Sequence, residues 1–166
     1  MSSLSQRPLP RPLEEETGRT SKSAAFLLIA GAILIAASLF LPWLHLSTSF
    51  GNGPHELDFA PWTAVYLINT RNGLFPFVLV LLLSGWGIVV GSVVLAVSRS
   101  MRLRRALTIF VIALVCLYGV GMVFTVGFVP GVLGLVSPYF YNVMTQYGTA
   151  TVVLGGLSVV VGALKA

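Results

Sequence analysis

The chain has 166 residues, of which 56% are hydrophobic and only 9% are charged, and its formal net charge is +5. A typical soluble domain has ~25% charged residues. A soluble fold of this length could not cover so much apolar surface, so we expect lipid to be its main solvent and little of the chain to remain for a soluble catalytic domain. The single cysteine, Cys116, excludes an intramolecular disulfide and the paired-cysteine chemistry of membrane disulfide oxidoreductases.

The first 23 residues are rich in Ser, Pro, Arg and Glu and have few large apolar side chains. Such a segment cannot bury enough apolar surface to offset the entropy of ordering, so residues 1–23 are predicted to be a disordered cytoplasmic tail. Residues 7–12 favour extended polyproline geometry. This stretch is either a peptide that binds a partner or a solvated tail.

Four long apolar stretches dominate the rest of the chain and contain no Asp, Glu, Lys, Arg or His; they are residues 24–41, 76–98, 106–129 and 147–164. About 20 residues in a helix cross a hydrocarbon core of ~30 Å. The predicted fold is therefore all-α, a four-transmembrane-helix bundle over residues 24–166. The first stretch ends in Phe40-Leu41-Pro42-Trp43 rather than a small-x-small cleavage site, which favours a retained span over a signal peptide.

The cations fall almost entirely on one side of these spans. Arg7, Arg11, Arg19 and Lys22 precede the first span, Arg99, Arg102, Arg104 and Arg105 connect the second and third, and Lys165 follows the fourth, leaving Arg71 alone in the other two loops. The positive-inside rule then predicts a multi-pass protein of the plasma (inner) membrane with both termini in the cytoplasm. The four connecting arginines either only anchor this topology or also contact lipid headgroups. The cations have a sufficient topological reason, so no nucleic-acid partner is expected.

The first outer loop, residues 42–75, predicts a small β-hairpin on the outer membrane surface. Apolar and polar residues alternate in 44–50 and again in 55–59, and Gly51-Asn52-Gly53-Pro54 between them is a turn sequence. A proline at position 61 in a first helical turn then predicts a short interfacial helix through residue 68.

The second outer loop, residues 130–146, contains no charged residue. Pro130-Gly131 is predicted to end the third span. Ser137-Pro138 is typical of an N-cap followed by a first-turn proline, which predicts a second short helix through Met144.

Aromatic residues concentrate near the predicted outer boundary; they are Trp43, Trp62, Tyr66, Tyr139, Tyr141 and Tyr147. An aromatic belt at the membrane interface explains them, and a docking surface is the alternative, since aromatic anchors also dominate protein interfaces. The candidates for contact with a partner are Trp62, Tyr66, Tyr139, Phe140 and Tyr141.

Small residues at a spacing of four predict close packing between helices, which lipid cannot drive by itself. The pairs are Ala32 and Ala36, Gly87 and Gly91, and Ser158 and Gly162. Trp86, well inside the second span, marks either a ligand cavity or an ordinary tryptophan whose N–H bonds a neighbour. Cys116 is expected to be a small buried apolar residue.

The titratable candidates for catalysis or metal binding lie in the first outer loop, at His45, His55, Glu56 and Asp58. Alternation on a strand places His55 and Glu56 on opposite faces, and two histidines ten residues apart do not form a recognisable zinc pattern. No phosphate loop, nucleophile elbow or HExxH helix occurs. We therefore expect no catalytic residue, no metal and no cofactor. An enzyme using His55, Glu56 or Asp58 is the least favoured interpretation.

Three features resemble a group of small four-span actinobacterial membrane proteins of unknown function: Leu39-Phe40-Leu41-Pro42-Trp43 at the outer end of span one, Tyr147-Gly148-Thr149-Ala150 leading into Leu154-Gly155-Gly156-Leu157, and the arginine-rich hinge. Some small polytopic proteins of this kind accompany respiratory or lipid-transport complexes. The resemblance implies no catalytic residue. The layout is also similar to that of claudin-like tetraspans, but residues 42–75 lack their paired cysteines.

Together these features predict a non-enzymatic accessory or scaffold subunit of a larger inner-membrane complex, with membrane lipids and other integral membrane subunits as partners. The alternative is a homo-oligomeric carrier or channel for an apolar or lipid-like solute, with Trp86, Gly87 and Gly91 along its path.

Overall fold

The apolar stretches form long helices because a helix satisfies every backbone polar group within its own segment. A computed structural model describes residues 20–50, 53–63, 75–136 and 142–166. The described elements, in chain order, are α1 (Lys22–Phe40), β1 (Leu44–Phe50), β2 (Gly53–Phe59), α2 (Phe75–Val97), α3 (Met101–Val136), β3 (Asn142–Thr145) and α4 (Tyr147–Lys165). Each of these four helices has a segment long and apolar enough to cross a membrane. The prediction of four spanning helices is confirmed at this level.

Local signals set both ends of α1. The side chain of Ser21 accepts a hydrogen bond of 3.2 Å from the backbone N–H of Ala24 and so caps the first turn. At the other end, Leu41 is extended, with φ −77° and ψ 142°, because Pro42 disfavours a helical conformation in the residue before it. Most of the predicted tail lies outside the described residues, and its last two positions, 22 and 23, belong to α1.

Glycines let α1 and α4 pack closely as an antiparallel pair. A Cβ atom added to Gly31 would lie 2.6 Å from the side chain of Val159, and one added to Gly162 would lie 3.0 Å from Leu28. Residue numbers rise along one helix as they fall along the other, which defines the antiparallel direction. Close approach through small residues is the usual way that helices associate in lipid.

The same arrangement joins α2 to α3. A Cβ on Gly87 would lie 2.8 Å from Leu114, and one on Gly91 would lie 2.7 Å from Val111. These contacts again run in opposite directions along the two helices. The two antiparallel pairs meet through α1 and α2, where a Cβ on Gly85 would lie 2.7 Å from the Leu39 side chain.

Antiparallel packing divides the described charged residues between the two ends of the bundle. One end carries the cations Lys22, Arg99, Arg102, Arg104, Arg105 and Lys165. The other end carries the sheet, whose described charged residues are Glu56 and Asp58. We call these the cationic end and the sheet end.

Helix α3 does not stop at Pro130-Gly131, where the sequence predicts that the third span ends. It has 36 residues and continues through Pro130 to Val136, although its segment apolar enough to cross a membrane is Met101–Gly127. A proline removes one backbone donor, but inside an apolar environment neighbouring groups and local adjustment can satisfy the freed carbonyl.

The predicted β-hairpin is confirmed. Strands β1 and β2 pair antiparallel, with Leu44 opposite Phe59 and Phe50 opposite Gly53. Leu44 and Phe59 are both buried, as the alternation of apolar and polar residues requires of the face that packs on the bundle. Residues 61–63 are helical, and the rest of the predicted helix to residue 68 lies outside the described residues.

The prediction of a helix through Met144 is wrong at its C-terminal end, and its start at Ser137-Pro138 lies outside the described residues. Residues 142–145 instead form strand β3, which pairs antiparallel with β1 and gives the sheet the order β2-β1-β3. Leu44 lies opposite Thr145, and Ser47 lies opposite Asn142. Pairing with a strand about 100 residues earlier in the chain overrides the local signal of the Ser-Pro sequence.

Candidate functional site

Trp43 joins the sheet to the sheet end of the bundle. Its backbone N–H donates to the carbonyl oxygen of Phe59 at 2.8 Å, and its own carbonyl oxygen accepts from Gln146 N–H at 2.9 Å and from the Thr149 hydroxyl at 3.0 Å. The indole Nε1–H donates to the carbonyl oxygen of Ser38 in α1 at 2.7 Å. One residue therefore ties α1, β2 and the start of α4 together.

The Trp43 side chain is completely buried, which corrects its interpretation as a member of an interfacial aromatic belt. Its ring meets that of Tyr118 in α3 edge to face, with centroids 5.5 Å apart. The Tyr118 hydroxyl lies 3.0 Å from the hydroxyl of Ser38, which donates to the Ile35 carbonyl oxygen at 2.6 Å. We call Trp43, Ser38 and Tyr118 the Trp43 joint. Buried polar groups that satisfy one another in this way hold a single arrangement of elements.

Gly148 makes room for the Trp43 joint. A Cβ on this residue would lie 2.5 Å from Trp43 Cδ1, 2.6 Å from the carbonyl oxygen of Pro42 and 2.7 Å from that of Leu41. The backbone N–H of Gly148 also donates to the Pro42 carbonyl oxygen at 3.0 Å. The glycine is needed here because backbone atoms, which cannot move aside like a flexible side chain, occupy the position of its Cβ.

The face of the sheet opposite the buried side chains of Leu44 and Phe59 carries polar side chains. His45 and Asp58 are directly opposite each other on β1 and β2, and His45 Nδ1 lies 2.7 Å from Asp58 Oδ1. The next pair on this face is Ser47 and Glu56. The His45 side chain is 24% exposed and that of Asp58 is 63% exposed, so this interaction is partly screened by solvent and is worth ~0.2–1 kcal/mol.

The titratable residues singled out in the sequence separate in the structure. His45, Glu56 and Asp58 share the polar face of the sheet, whereas the register places His55 opposite Thr48, on the other face. Among the described residues, no group of three or more His, Cys, Asp or Glu side chains is positioned to hold a metal ion. The polar face of the hairpin thus presents hydrogen-bonding and acidic groups outward from the bundle.

Of the five predicted contact residues, the structure describes one, Trp62. Trp62 is 41% exposed at the sheet end, and its ring lies 5.4 Å from that of Phe40, measured between centroids. The other four, Tyr66, Tyr139, Phe140 and Tyr141, lie outside the described residues. Phe40 and Tyr147 are further exposed aromatic side chains at this end, and the sequence analysis did not select either as a contact residue.

Most of the predicted packing residues lie at helix contacts. Gly87, Gly91 and Gly162 meet neighbouring helices as described above, and Ala32 is buried, while Ala36 and Ser158 are partly buried. The sequence analysis missed Gly31, which lies closest to α4. The residues four positions before and after Gly31 are Leu27 and Ile35, which are large, so the spacing of small residues does not identify this glycine.

Clefts flank α3 on both sides. One, of about 360 Å³, lies between α2 and α3 and is lined by residues that include Phe77, Leu81 and Phe124. The other, of about 250 Å³, lies between α3 and α4 and includes Gly119, Val153 and Gly156. Both are lined almost entirely by apolar side chains. Neither cleft includes Trp86, which is 41% exposed on the outside of the bundle.

The exposure of Cys116 and of the four connecting arginines completes the comparison with the sequence. Cys116 is exposed on α3 rather than buried, so the expectation of a buried thiol is wrong. Among the four connecting arginines, Arg104 is buried, whereas Arg99, Arg102 and Arg105 are exposed at the cationic end. The three exposed guanidinium groups are free to reach solvent or lipid headgroups.

No protein-family model, curated protein or solved structure matches the chain. In the described part of the chain, the fold consists of four helices long and apolar enough to cross a membrane, as in a multi-pass membrane protein, and a small sheet at one end of the bundle.

Proposed function

We propose that the chain is a non-enzymatic accessory or scaffold subunit of a larger inner-membrane complex. The observation that carries the proposal is the Trp43 joint, which holds the sheet on the bundle through four hydrogen bonds of 2.7–3.0 Å. A sheet fixed in this way presents its polar face and the neighbouring Trp62 as a rigid surface. Preorganised surfaces lose less entropy on binding, which favours a docking role.

The distribution of charge supports an orientation for this subunit. The cationic end would face the cytoplasm, with both termini there, and the sheet would face outward. The acidic side chains Glu56 and Asp58 would then lie on the outer surface, where a partner with basic or hydrogen-bonding groups would complement them.

Affinity purification of the full chain in a mild detergent tests the proposal. We expect partner chains to purify with it at fixed stoichiometry. A homogeneous species without any partner would overturn the proposal.

A matched pair of variants tests the surface itself. Trp62 and Trp86 are both 41% exposed, but only Trp62 lies at the sheet end. Trp62→Ala is expected to lose the partner, since central aromatic anchors contribute ~2 kcal/mol or more, whereas Trp86→Ala retains it. Equal retention by both variants would remove Trp62 from the interface.

A second candidate function, a homo-oligomeric carrier or channel for an apolar or lipid-like solute, is favoured by the two clefts beside α3. The path expected from the sequence is not supported, because the side chains of Leu114 and Val111 occupy the space beside Gly87 and Gly91. Cross-linking in native membranes distinguishes the functions: a ladder of this chain alone supports the carrier, and hetero-complexes support the subunit.

A further inference from the structure

We infer that the cleft between α3 and α4 binds one acyl chain of an outer-leaflet lipid whose polar, uncharged headgroup occupies the adjoining pocket at the start of α4. This inference goes beyond the accessory role and takes from the proposed function only the outward orientation of the sheet; either an accessory subunit or a carrier can hold such a lipid.

The cleft and the pocket adjoin at Val153 on α4, and we call the two together the groove. The cleft of about 250 Å³ is lined on this helix by residues that include Val153, Leu157 and Val160. The pocket, of about 500 Å³, is lined by Gln146, Tyr147, Thr149, Ala150 and Val153. Val153 lines both cavities. Thr149 and Ala150 precede it by four and three residues, and Leu157 and Val160 follow it by four and seven, which places these five positions on one face of the helix.

The length of the groove matches one leaflet of a bilayer. From Gln146 to Val160 the groove extends roughly 21 Å at ~1.5 Å per residue. Half of a ~30 Å hydrocarbon core together with one interfacial layer is about 20–22 Å. The pocket would therefore lie at headgroup depth and the deepest part of the cleft near the bilayer centre.

The width of the cleft favours an alkyl chain over a helix of another protein. Helices α3 and α4 already touch at its floor, where a Cβ on Gly156 would lie 3.3 Å from the side chain of Val115. Packed helices have axes ~8–10 Å apart, and a third helix has a diameter of ~10–12 Å. A full helix cannot enter this seam, whereas a thin chain can lie along it.

The lining changes from apolar to polar along the groove, as an amphiphile requires. Within the cleft, the Tyr118 hydroxyl is already engaged by Ser38, which leaves an apolar surface. In the pocket, Gln146 supplies an amide, and the Thr149 hydroxyl, which donates to the Trp43 carbonyl oxygen, retains its acceptor lone pairs. The residues that line the pocket, Gln146, Tyr147, Thr149, Ala150 and Val153, include no cation that would pair with a phosphate. The chemistry therefore fits a hydroxyl-bearing, uncharged headgroup.

Two glycines of α3 provide a matched test. A Cβ on Gly119 or on Gly127 would meet no atom within 4 Å, so both positions have room for a larger side chain. Only Gly119 lines the cleft. The variant Gly119→Leu therefore fills the cleft, and Gly127→Leu adds the same side chain to the same helix outside it.

The experiment uses the full chain in phosphatidylcholine nanodiscs that contain a trace of diacylglycerol with a photoreactive diazirine in one acyl chain. In the unmodified chain we expect peptide mapping to find label concentrated at residues 115–122 and 153–160. Gly119→Leu should reduce this labelling roughly tenfold, equivalent to losing the burial of about two methylene groups, while Gly127→Leu stays within about twofold. Unlabelled diacylglycerol should compete more strongly than phosphatidylglycerol.

Label spread evenly over the lipid-facing helices of the unmodified chain would show annular lipid only and overturn the inference, without reference to any variant. Equal losses of labelling in the two glycine variants would also overturn the inference. A change of oligomeric state in Gly119→Leu, with no specific labelling of the unmodified chain, would overturn it too and would assign the cleft to a second copy. Equal or stronger competition by phosphatidylglycerol would overturn the uncharged headgroup. None of these outcomes bears on whether partner chains purify with the protein, so the two proposals fail separately.

Discussion

Replacing Trp43 by phenylalanine should destabilise the protein more than the loss of a single surface contact would. The substitution removes the indole N–H that donates to the Ser38 carbonyl oxygen at 2.7 Å. A buried acceptor left without its partner costs ~1–3 kcal/mol. The smaller ring also leaves a gap beside Tyr118 at a site with no solvent exposure, and partial cavities of this kind add about 1 kcal/mol. We expect a total loss of about 2–4 kcal/mol.

Reversible unfolding in a denaturing detergent, followed by tryptophan fluorescence or circular dichroism, measures this loss in the purified chain. Trp86→Phe is the control, because it makes the same chemical change on a helix at an exposed position, and surface substitutions usually change stability by less than ~0.5 kcal/mol. Equal stability of the two variants would refute the reasoning that Trp43 holds the sheet on the bundle.

The remaining predictions concern the same elements. Gly148→Ala should destabilise the fold by about 1–3 kcal/mol, because the added Cβ overlaps Trp43 and the Pro42 carbonyl oxygen. Gly119→Ala should instead stabilise the fold by up to ~1 kcal/mol, since its Cβ meets open space. Equal effects of the two variants in thermal melts would contradict this contrast. Ser38→Ala, Tyr118→Phe and the double variant should give a coupling energy of about 1 kcal/mol for the 3.0 Å hydroxyl contact, and purely additive losses would show that the hydroxyls do not interact. Asp58→Asn should cost less than ~1 kcal/mol because the pair with His45 is partly exposed; a loss above ~2 kcal/mol would mean that the polar face is covered.

Local sequence patterns predicted the helices and the hairpin because those elements depend on nearby residues. Hydropathy over about 20 residues identifies a spanning helix, and the alternation in residues 44–50 identifies a strand whose partner follows after a short turn. The N-terminal capping of α1 and its end before Pro42 are also local. These are the features in which sequence and structure agree most closely.

Features that depend on distant contacts could not be predicted in this way. Strand β3 pairs with β1 from the far end of the chain, and residues 142–145 alone give no sign of it. Trp43 lies at the helix boundary, where belt residues are common, and only the convergence of Ser38, Phe59 and Tyr118 shows that it is buried. Helix α3 continues past Pro130 to Val136, because a proline weakens a helix by removing one donor and crowding one carbonyl but does not always end it.

The clefts beside α3 depend on the geometry between helices. Gly119 and Gly121 are separated by one residue, yet a Cβ on Gly121 would overlap Leu81, whereas one on Gly119 would meet nothing. Their sequence context does not distinguish them. The direction in which each points decides which one lines the cleft between α3 and α4.

Cysteine accessibility tests the central claim, that the chain crosses the membrane with its sheet outside and its cationic end inside. In a Cys116→Ser background, Ser47→Cys places a thiol on the polar face of the sheet, and Ser100→Cys places one in the exposed connection between α2 and α3. A membrane-impermeant maleimide applied to intact spheroplasts should label the thiol at position 47 at once and the thiol at position 100 only after permeabilisation. The reverse pattern, or immediate labelling of both, would contradict the account.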